Sequence, residues 1–341
     1  MKLGKLDKSI LHFIGNKTIG DGVKLSNSMT EFNKVDEYIS ELIIKNFKFD
    51  ELHHFTFKPS LDLNPTFQFI KSIFENSNTF IDQSQNIGRY LYDKSTHPQI
   101  KAGELCVLYF KDCSFKGEVL DAICLLKSEN KDVFLEIERN TDGFEIDSKK
   151  GININKLDKG CLIFNTQKEK GYLVSIVDNT NRSNAQYWGS DFLGVKLVEN
   201  DFYQTNQFLD ITKQFIKNQL SQEFEIAKAD KIDLLNRSVD YFKNNNTFKK
   251  DDFENEVLTD ENLINSFNKF DEMFCQENNI KKLDNFDISK QAVKKQARIF
   301  KSVLKLDKNF HIYIHGDREM IEQGIDSDGR KFYKLYYNEE S

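Results

Sequence analysis

The sequence predicts an α+β protein: N-terminal helices and strands, a central antiparallel β meander, a helical segment and C-terminal β hairpins. Three observations predict it. Apolar residues recur three and four apart before residue 100 and after residue 200, the spacing of a helix face. Between residues 103 and 198, short apolar runs alternate with turn clusters at spacings too short for crossover helices, which favours antiparallel neighbours. The last fifty residues return to two-residue alternation around Asp307-Lys-Asn and Asp328-Gly329.

In chain order, Lys5 to Gly15 reads as a strand, with Ile10, Phe13 and Ile14 apolar. Glu31 to Phe47 places Phe32, Val35, Tyr38, Ile39, Leu42 and Ile43 at helical spacing and predicts an amphipathic helix. His53-His-Phe-Thr-Phe reads as a strand. Asn64-Pro65 opens a second helix with proline in its first turn. A third runs from about Phe80 to Tyr92, and His97-Pro98 closes the helical part because the residue before proline avoids helical angles. Leu105–Phe110, Ala122–Leu126, Val133–Ile137, Cys161–Phe164 and Tyr172–Val177 are the predicted strands of the meander. Phe202 to Gln219 predicts one helix, and Ile232, Leu235, Val239 and Phe242 mark the face of the next. Thr259 is the expected cap of a third, with Leu263, Phe267, Phe270 and Phe274 on one side. A short helix from Ser289 to Ala297 leads into strand Phe300–Leu306, the alternating run Phe310–His315 and a closing strand from Phe332. The expected division is residues 1–200, an α+β domain with the antiparallel sheet, and residues 201–341, a helical segment with a basic helix and hairpin.

A chain of 341 residues has the length of about two domains. Its 39% hydrophobic and 30% charged residues exclude wholesale disorder, and 3 Pro and 16 Gly exclude a long flexible linker. With 48 Lys and Arg against 54 Asp and Glu, the net charge of −6 excludes a uniformly basic protein that coats nucleic acid. The basic start Met1-Lys-Leu-Gly-Lys has no apolar run of signal-peptide length, and no stretch reaches the ~18 apolar residues of a membrane span. Cys106, Cys113, Cys124, Cys161 and Cys275 are odd in number, contain no C-x-x-C pair and read as buried thiols of a reducing compartment. A cytoplasmic protein with no membrane contact and no cofactor is expected.

The strongest chemical signal is a local charge imbalance. From Ile288 to Leu306 there is no acid, while Lys290, Lys294, Lys295, Arg298, Lys301 and Lys305 contribute +6. The preceding residues 251–287 hold 11 acids against 3 lysines, a balance of −8. Lys290, Lys294 and Arg298 share one face of a helix, and Lys301 and Lys305 one face of a strand. A row of cations suits a phosphate backbone. The bland alternative is a solvated basic face, or one paired within the chain to the acidic segment.

Other constellations are weaker. His311 and His315 share a strand face with Asp317 beside them, but residues four apart on a strand stand about 13 Å apart, too far to share one metal ion. No P-loop, dinucleotide-binding, H-E-x-x-H or G-x-S-x-G motif is present, so nothing in the sequence demands an enzyme. Tyr313, Tyr333, Tyr336 and Tyr337 could stack on unpaired bases, although strand aromatics ordinarily belong to a core or a plain surface.

Several longer strings carry a resemblance. Leu91-Tyr-Asp-Lys-Ser-Thr-His-Pro, Gly103-Glu-Leu-Cys-Val-Leu-Tyr-Phe, Ala185-Gln-Tyr-Trp, Asp233-Leu-Leu-Asn-Arg-Ser-Val-Asp-Tyr-Phe-Lys and Lys301-Ser-Val-Leu-Lys-Leu-Asp-Lys-Asn-Phe-His-Ile-Tyr-Ile-His-Gly are among them. Together they resemble the bacterial nucleoid-associated protein family (NdpA-like), in its long Bacteroidetes-type branch, over nearly the whole chain. The resemblance implies a protein of the nucleoid that binds DNA and has no established catalytic activity. It supplies no DNA-contacting residues, so the assignment of Lys290, Lys294, Lys295, Arg298, Lys301 and Lys305 to DNA rests on charge alone. The expected partner is double-stranded DNA, with single-stranded DNA, a chromosomal protein partner and a homodimer left open. The alternatives are an adaptor recruited to the chromosome by a protein, or a metal-dependent nuclease or phage-defence effector using His311 and His315.

Overall fold

Both faces of one antiparallel sheet are covered, which is why its central strands read as unbroken apolar runs. The computed structural model describes residues 1–180, 187–297, 303–307, 309–313 and 320–339. The chain divides into two units, Met1–Val198 and Glu199–Ser341.

The first unit begins with β1 (Lys5–Ile14), β2 (Val23–Lys24), α1 (Asp36–Asn46), β3 (Leu52–Phe55), α2 (Pro65–Glu75) and α3 (Phe80–Lys94). It continues through β4 (Gly103–Phe115), β5 (Glu118–Ser128), β6 (Asp132–Asn140), β7 (Gly143–Gly151), β8 (Lys159–Phe164), β9 (Leu173–Asp178) and β10 (Val195–Leu197). Eight of these strands form a sheet in the order β10-β3-β9-β8-β5-β4-β1-β2, with every neighbouring pair antiparallel. Four of the five strands expected in the meander, β4, β5, β8 and β9, are successive neighbours in this sheet; the fifth, Val133–Ile137, falls in β6 and lies outside it, because β5 pairs directly with β8. Strands β6 and β7 are inserted into it as a separate two-stranded ribbon. The sequence reading contained β6 but not β7, because Phe144 and Ile146 alternate for only two positions before Asp147-Ser-Lys-Lys.

Alternate residues of β4 serve opposite cores. Leu105, Val107 and Tyr109 pack with Phe67, Ile70 and Ile73 of α2 and Ile87 and Leu91 of α3. Cys106, Leu108 and Phe110 pack with Leu42 and Ile43 of α1. Each fully buried aliphatic side chain contributes about 1.5–3 kcal/mol of transfer free energy. Asn64 caps α2 as expected, accepting from Phe67 N at 2.9 Å, and its Nδ2 donates to Leu193 O at 2.8 Å, fastening the segment before β10. The first helix is shorter than the predicted Glu31–Phe47. Residues 33–35 form a turn, and the helix starts where Asp36 and Glu37 place negative charge on its N-terminal amides.

The second unit contains α4 (Asp201–Gln214), which runs through a π-helical stretch (Phe215–Gln219) into α5 (Leu220–Glu223), so the helix predicted from Phe202 to Gln219 extends one turn further. Then come α6 (Lys228–Asn244), β11 (Thr247–Lys249), α7 (Lys250–Phe253), α8 (Glu261–Glu277), β12 (Asn285–Asp287) and α9 (Lys290–Ala297). Its core is aromatic: the Phe208 ring lies 4.2 Å from that of Phe248, 5.2 Å from Phe253 and 5.8 Å from Phe267. The cap of α8 is Asp260, accepting from Leu263 N at 2.9 Å, and not the predicted Thr259, which adopts a left-handed φ of 62°. The chain ends in two hairpins, β13 (Val303–Leu306) with β14 (Phe310–Tyr313), and β15 (Ile321–Ile325) with β16 (Lys331–Leu335). Leu304 and Ile321 pack on Ile232 of α6. Gly329 takes φ 79° in the second turn, as Asp-Gly foretells.

Candidate nucleic-acid interface

The basic segment begins on α9. Ser289 precedes this helix, with its N–H donated to Thr205 Oγ1 at 3.0 Å. Ala292, Val293 and Gln296 are the buried positions of α9, and Gln296 Nε2 donates to Asn206 Oδ1 at 3.0 Å. That pattern leaves Lys290, Lys294 and Lys295 exposed.

The three lysines differ in how far they are already engaged. Lys290 Nζ donates to the carbonyls of Lys243 and Asn245, at 2.8 and 2.6 Å. Those oxygens belong to the C-terminal end of α6, where helical carbonyls lack partners in their own helix, so Lys290 acts as a cap. Lys295 Nζ sits 5.6 Å from the centre of the Phe202 ring, a cation–π contact. Lys294 stands one turn along from Lys290 on the same face, and its ammonium faces solvent.

The remaining residues of the segment are placed unevenly. Arg298 and Lys301 lie outside the described residues, as do His315 and Asp317. Lys305 is in β13, directly opposite His311 in the hairpin register. Among the described residues no three His, Cys, Asp or Glu side chains come together as a metal site.

Among the described residues, the acidic residues 251–287 leave Lys290 and Lys294 of this helix without an ion pair. Asp271 is buried and held by Lys250 Nζ at 2.6 Å, and Asp252 lies 3.7 Å from Lys249. Burial and the neighbouring Asp271 push the Cys275 thiol up to about 11. A cleft of about 500 Å3 nearby is lined by Lys249, Asp251, Asp252, Glu254, Lys282 and Asp284, charges of both signs that suit no single kind of ion.

The first unit contains a second lysine cluster that the sequence reading missed. Lys127 of β5 and Lys159 of β8 face each other directly across the sheet, both inaccessible to solvent. Like charges in that position repel. Glu129 lies between them, 2.7 Å from Lys127 Nζ and 3.4 Å from Lys159 Nζ. Lys127 also donates to Lys101 O at 2.7 Å and to Tyr187 Oη at 3.3 Å. Lys159 donates to Asp178 at 3.1 Å and to Thr180 Oγ1. Tyr187 Oη donates to Glu129 at 2.9 Å, and Trp188 Nε1 to Gly160 O at 3.1 Å. Burial lowers the Lys127 ammonium from its ordinary range despite Glu129, and raises the Tyr187 phenol. An ammonium has three N–H donors, and both lysines direct theirs at protein oxygens, so this cluster is a lock on the sheet and offers no free cation to a ligand. The legible signal was a lysine at an inward position of a strand otherwise built from Ile123 and Leu125.

The family described as Nucleoid-associated protein YejK matches the chain over residues 10–332. Among curated proteins none matches it.

Proposed function

From the chain's membership of the nucleoid-associated protein family, which spans residues 10–332, we propose that it is a non-enzymatic protein that binds duplex DNA through the phosphate backbone with low sequence specificity. The observation that carries this reading is the exposed lysine face of α9. Lys294 is held on a helix whose opposite side is anchored by Ala292 and Val293, and it is not spent on the acidic residues that precede it. Lys295, Arg298, Lys301 and Lys305 extend the cationic run, with Lys290 contributing what charge its capping role leaves. A segment with one arginine makes few bidentate contacts to base edges, so phosphate contacts dominate. Single-stranded DNA, a flexible line of the same charge, is a weaker ligand of the same surface. The protein works in the cytoplasm on the chromosome.

The test is a titration of fluorescent duplex and single-stranded DNA across salt concentrations. Affinity falls with salt at a log–log slope of up to about −5 if all six cations meet phosphates. Lys294→Glu lowers affinity several-fold at low salt and reduces the slope by about 1 or more, with an unchanged melting temperature. Reversing Lys290, Lys294, Arg298, Lys301 and Lys305 together abolishes binding. Wild-type affinity in that variant removes the assignment to this segment. No binding by the wild-type protein at micromolar concentration and low salt favours an adaptor that reaches DNA through a protein partner.

A further inference from the structure

The C-terminal hairpins sort the tyrosines that the sequence marks for stacking. In β15–β16 the register pairs Ile321 with Leu335 and Gln323 with Tyr333 on one side, and Glu322 with Lys334 and Gly324 with Phe332 on the other. Ile321 and Tyr333 pack with Leu304, Ile312 and Ile232 of α6, so theirs is the inner face. Tyr336 N–H donates to Met320 O at 2.8 Å, which carries the ladder one residue further and places Tyr336 on the outer face with Phe332 and Lys334. Phe332 and Tyr336 are 41% and 42% exposed, and Tyr337, one residue on, is 69% exposed. In the first hairpin Ile312 packs inward, and its neighbour Tyr313 is exposed.

Gly324 lets the Phe332 ring lie over the opposite strand, for a Cβ there would stand 2.5 Å from the ring. One side of the ring rests on backbone, which leaves the other to water. Lys334 stands between the two rings of its strand, its Nζ 4.8 Å from the centre of Tyr336 and 3.5 Å from the Glu322 carboxylate. An exposed ion pair of that length holds its lysine weakly. Residues 288–341 carry 11 Lys and Arg against 8 Asp and Glu, in a chain whose total charge is −6.

We propose that the outer face of β15–β16 is a stacking surface for the unpaired bases of single-stranded DNA. Positions four apart on a strand set Phe332 and Tyr336 about 13 Å apart with Lys334 midway. A base lies on each ring, and the lysine meets the phosphates between them. Stacking tolerates any sequence because every base has a π face. Duplex DNA cannot use this surface, since its bases are stacked on one another and show only their edges. The cationic balance of the C-terminal residues draws a polyanion to this part of an otherwise acidic chain. This surface rests on the reading of the protein as one that binds DNA, and it adds to the charge of α9 a contact that only an unpaired strand can make.

The experiment is fluorescence anisotropy of the full chain with labelled oligothymidine, an abasic strand of the same length and a duplex. The wild-type protein binds oligothymidine about tenfold more tightly than the abasic strand. Phe332→Leu with Tyr336→Leu removes that difference and leaves duplex affinity and the melting temperature unchanged, because leucine keeps an apolar cover over Gly324. Phe332→Trp retains the affinity, and the fluorescence of the added indole falls on binding, whereas the native Trp188 is fully buried. Lys294→Glu instead weakens all three probes alike. Equal wild-type affinity for oligothymidine and the abasic strand overturns the stacking surface, as does a leucine pair that still tells them apart. A protein that binds none of the probes overturns the DNA reading itself and this surface with it.

Discussion

Lys127 and Lys294 carry the same functional group into opposite circumstances. Lys127 stands at an inward position of a central strand, and every donor of its ammonium is taken by a protein oxygen. Lys294 stands on the outer face of α9 with its ammonium in water. Lys290 is intermediate, exposed yet directed at the end of α6. A lysine count therefore overstates the charge that a nucleic acid can meet. Counting by segment comes closer, but the cation that holds a fold together and the cation that waits for a ligand are separated only by what surrounds them.

The largest effect expected from this contrast is on stability. Glu129→Gln leaves two buried ammonium groups facing each other across the sheet, and breaking a buried ion network by removing one charge costs about 3–5 kcal/mol. Urea unfolding of the variant measures it. A loss below about 1 kcal/mol means that the cluster does not lock the sheet.

The same desolvation acts differently on a group that can shed its charge. His12 is buried beside Ser84, and burial, with the Arg89 charge, lowers its pKa to about 4. The unfolded chain takes up this proton near pH 6.5, the folded chain only near pH 4. Stability is thus full above pH 6.5 and declines as the pH falls towards 4, by up to about 3 kcal/mol. Unfolding at pH 7 and pH 4.5 gives the difference, and His12→Gln flattens it. An unchanged pH dependence in that variant removes His12 as the cause.

The smallest effect sharpens the middle case. Lys290→Ala uncaps α6 and costs at most about 1 kcal/mol, since the freed carbonyls can turn to water. Its effect on DNA affinity is smaller than that of Lys294→Glu. If Lys290→Ala weakens DNA binding more than Lys294→Glu without loss of stability, the capping role is secondary.

Much of the fold was legible because it obeys local rules. Asn64-Pro65 opens α2 and Asp328-Gly329 turns a hairpin, since caps and turns are decided within a few residues. Alternation and helical spacing marked the meander and the helix faces. The misreadings came where two local rules competed or the pattern was brief. Helix α1 starts at Asp36 rather than Glu31 because apolar spacing continued past the true start, and α8 is capped by Asp260 because its neighbour Thr259 is held in a left-handed turn. In β7, two apolar residues were too few to display a period.

By itself the sequence determined the α+β class, the antiparallel character of the central strands, the division of charge between residues 251–287 and 288–306, and the family to which the chain belongs. Only the tertiary structure decided which charges are spent. Lys127 meets Lys159 through a strand register, and Lys290 meets the end of α6 across 45 residues of chain. Availability of a charge depends on burial and on partners remote in sequence, and no local spacing encodes either.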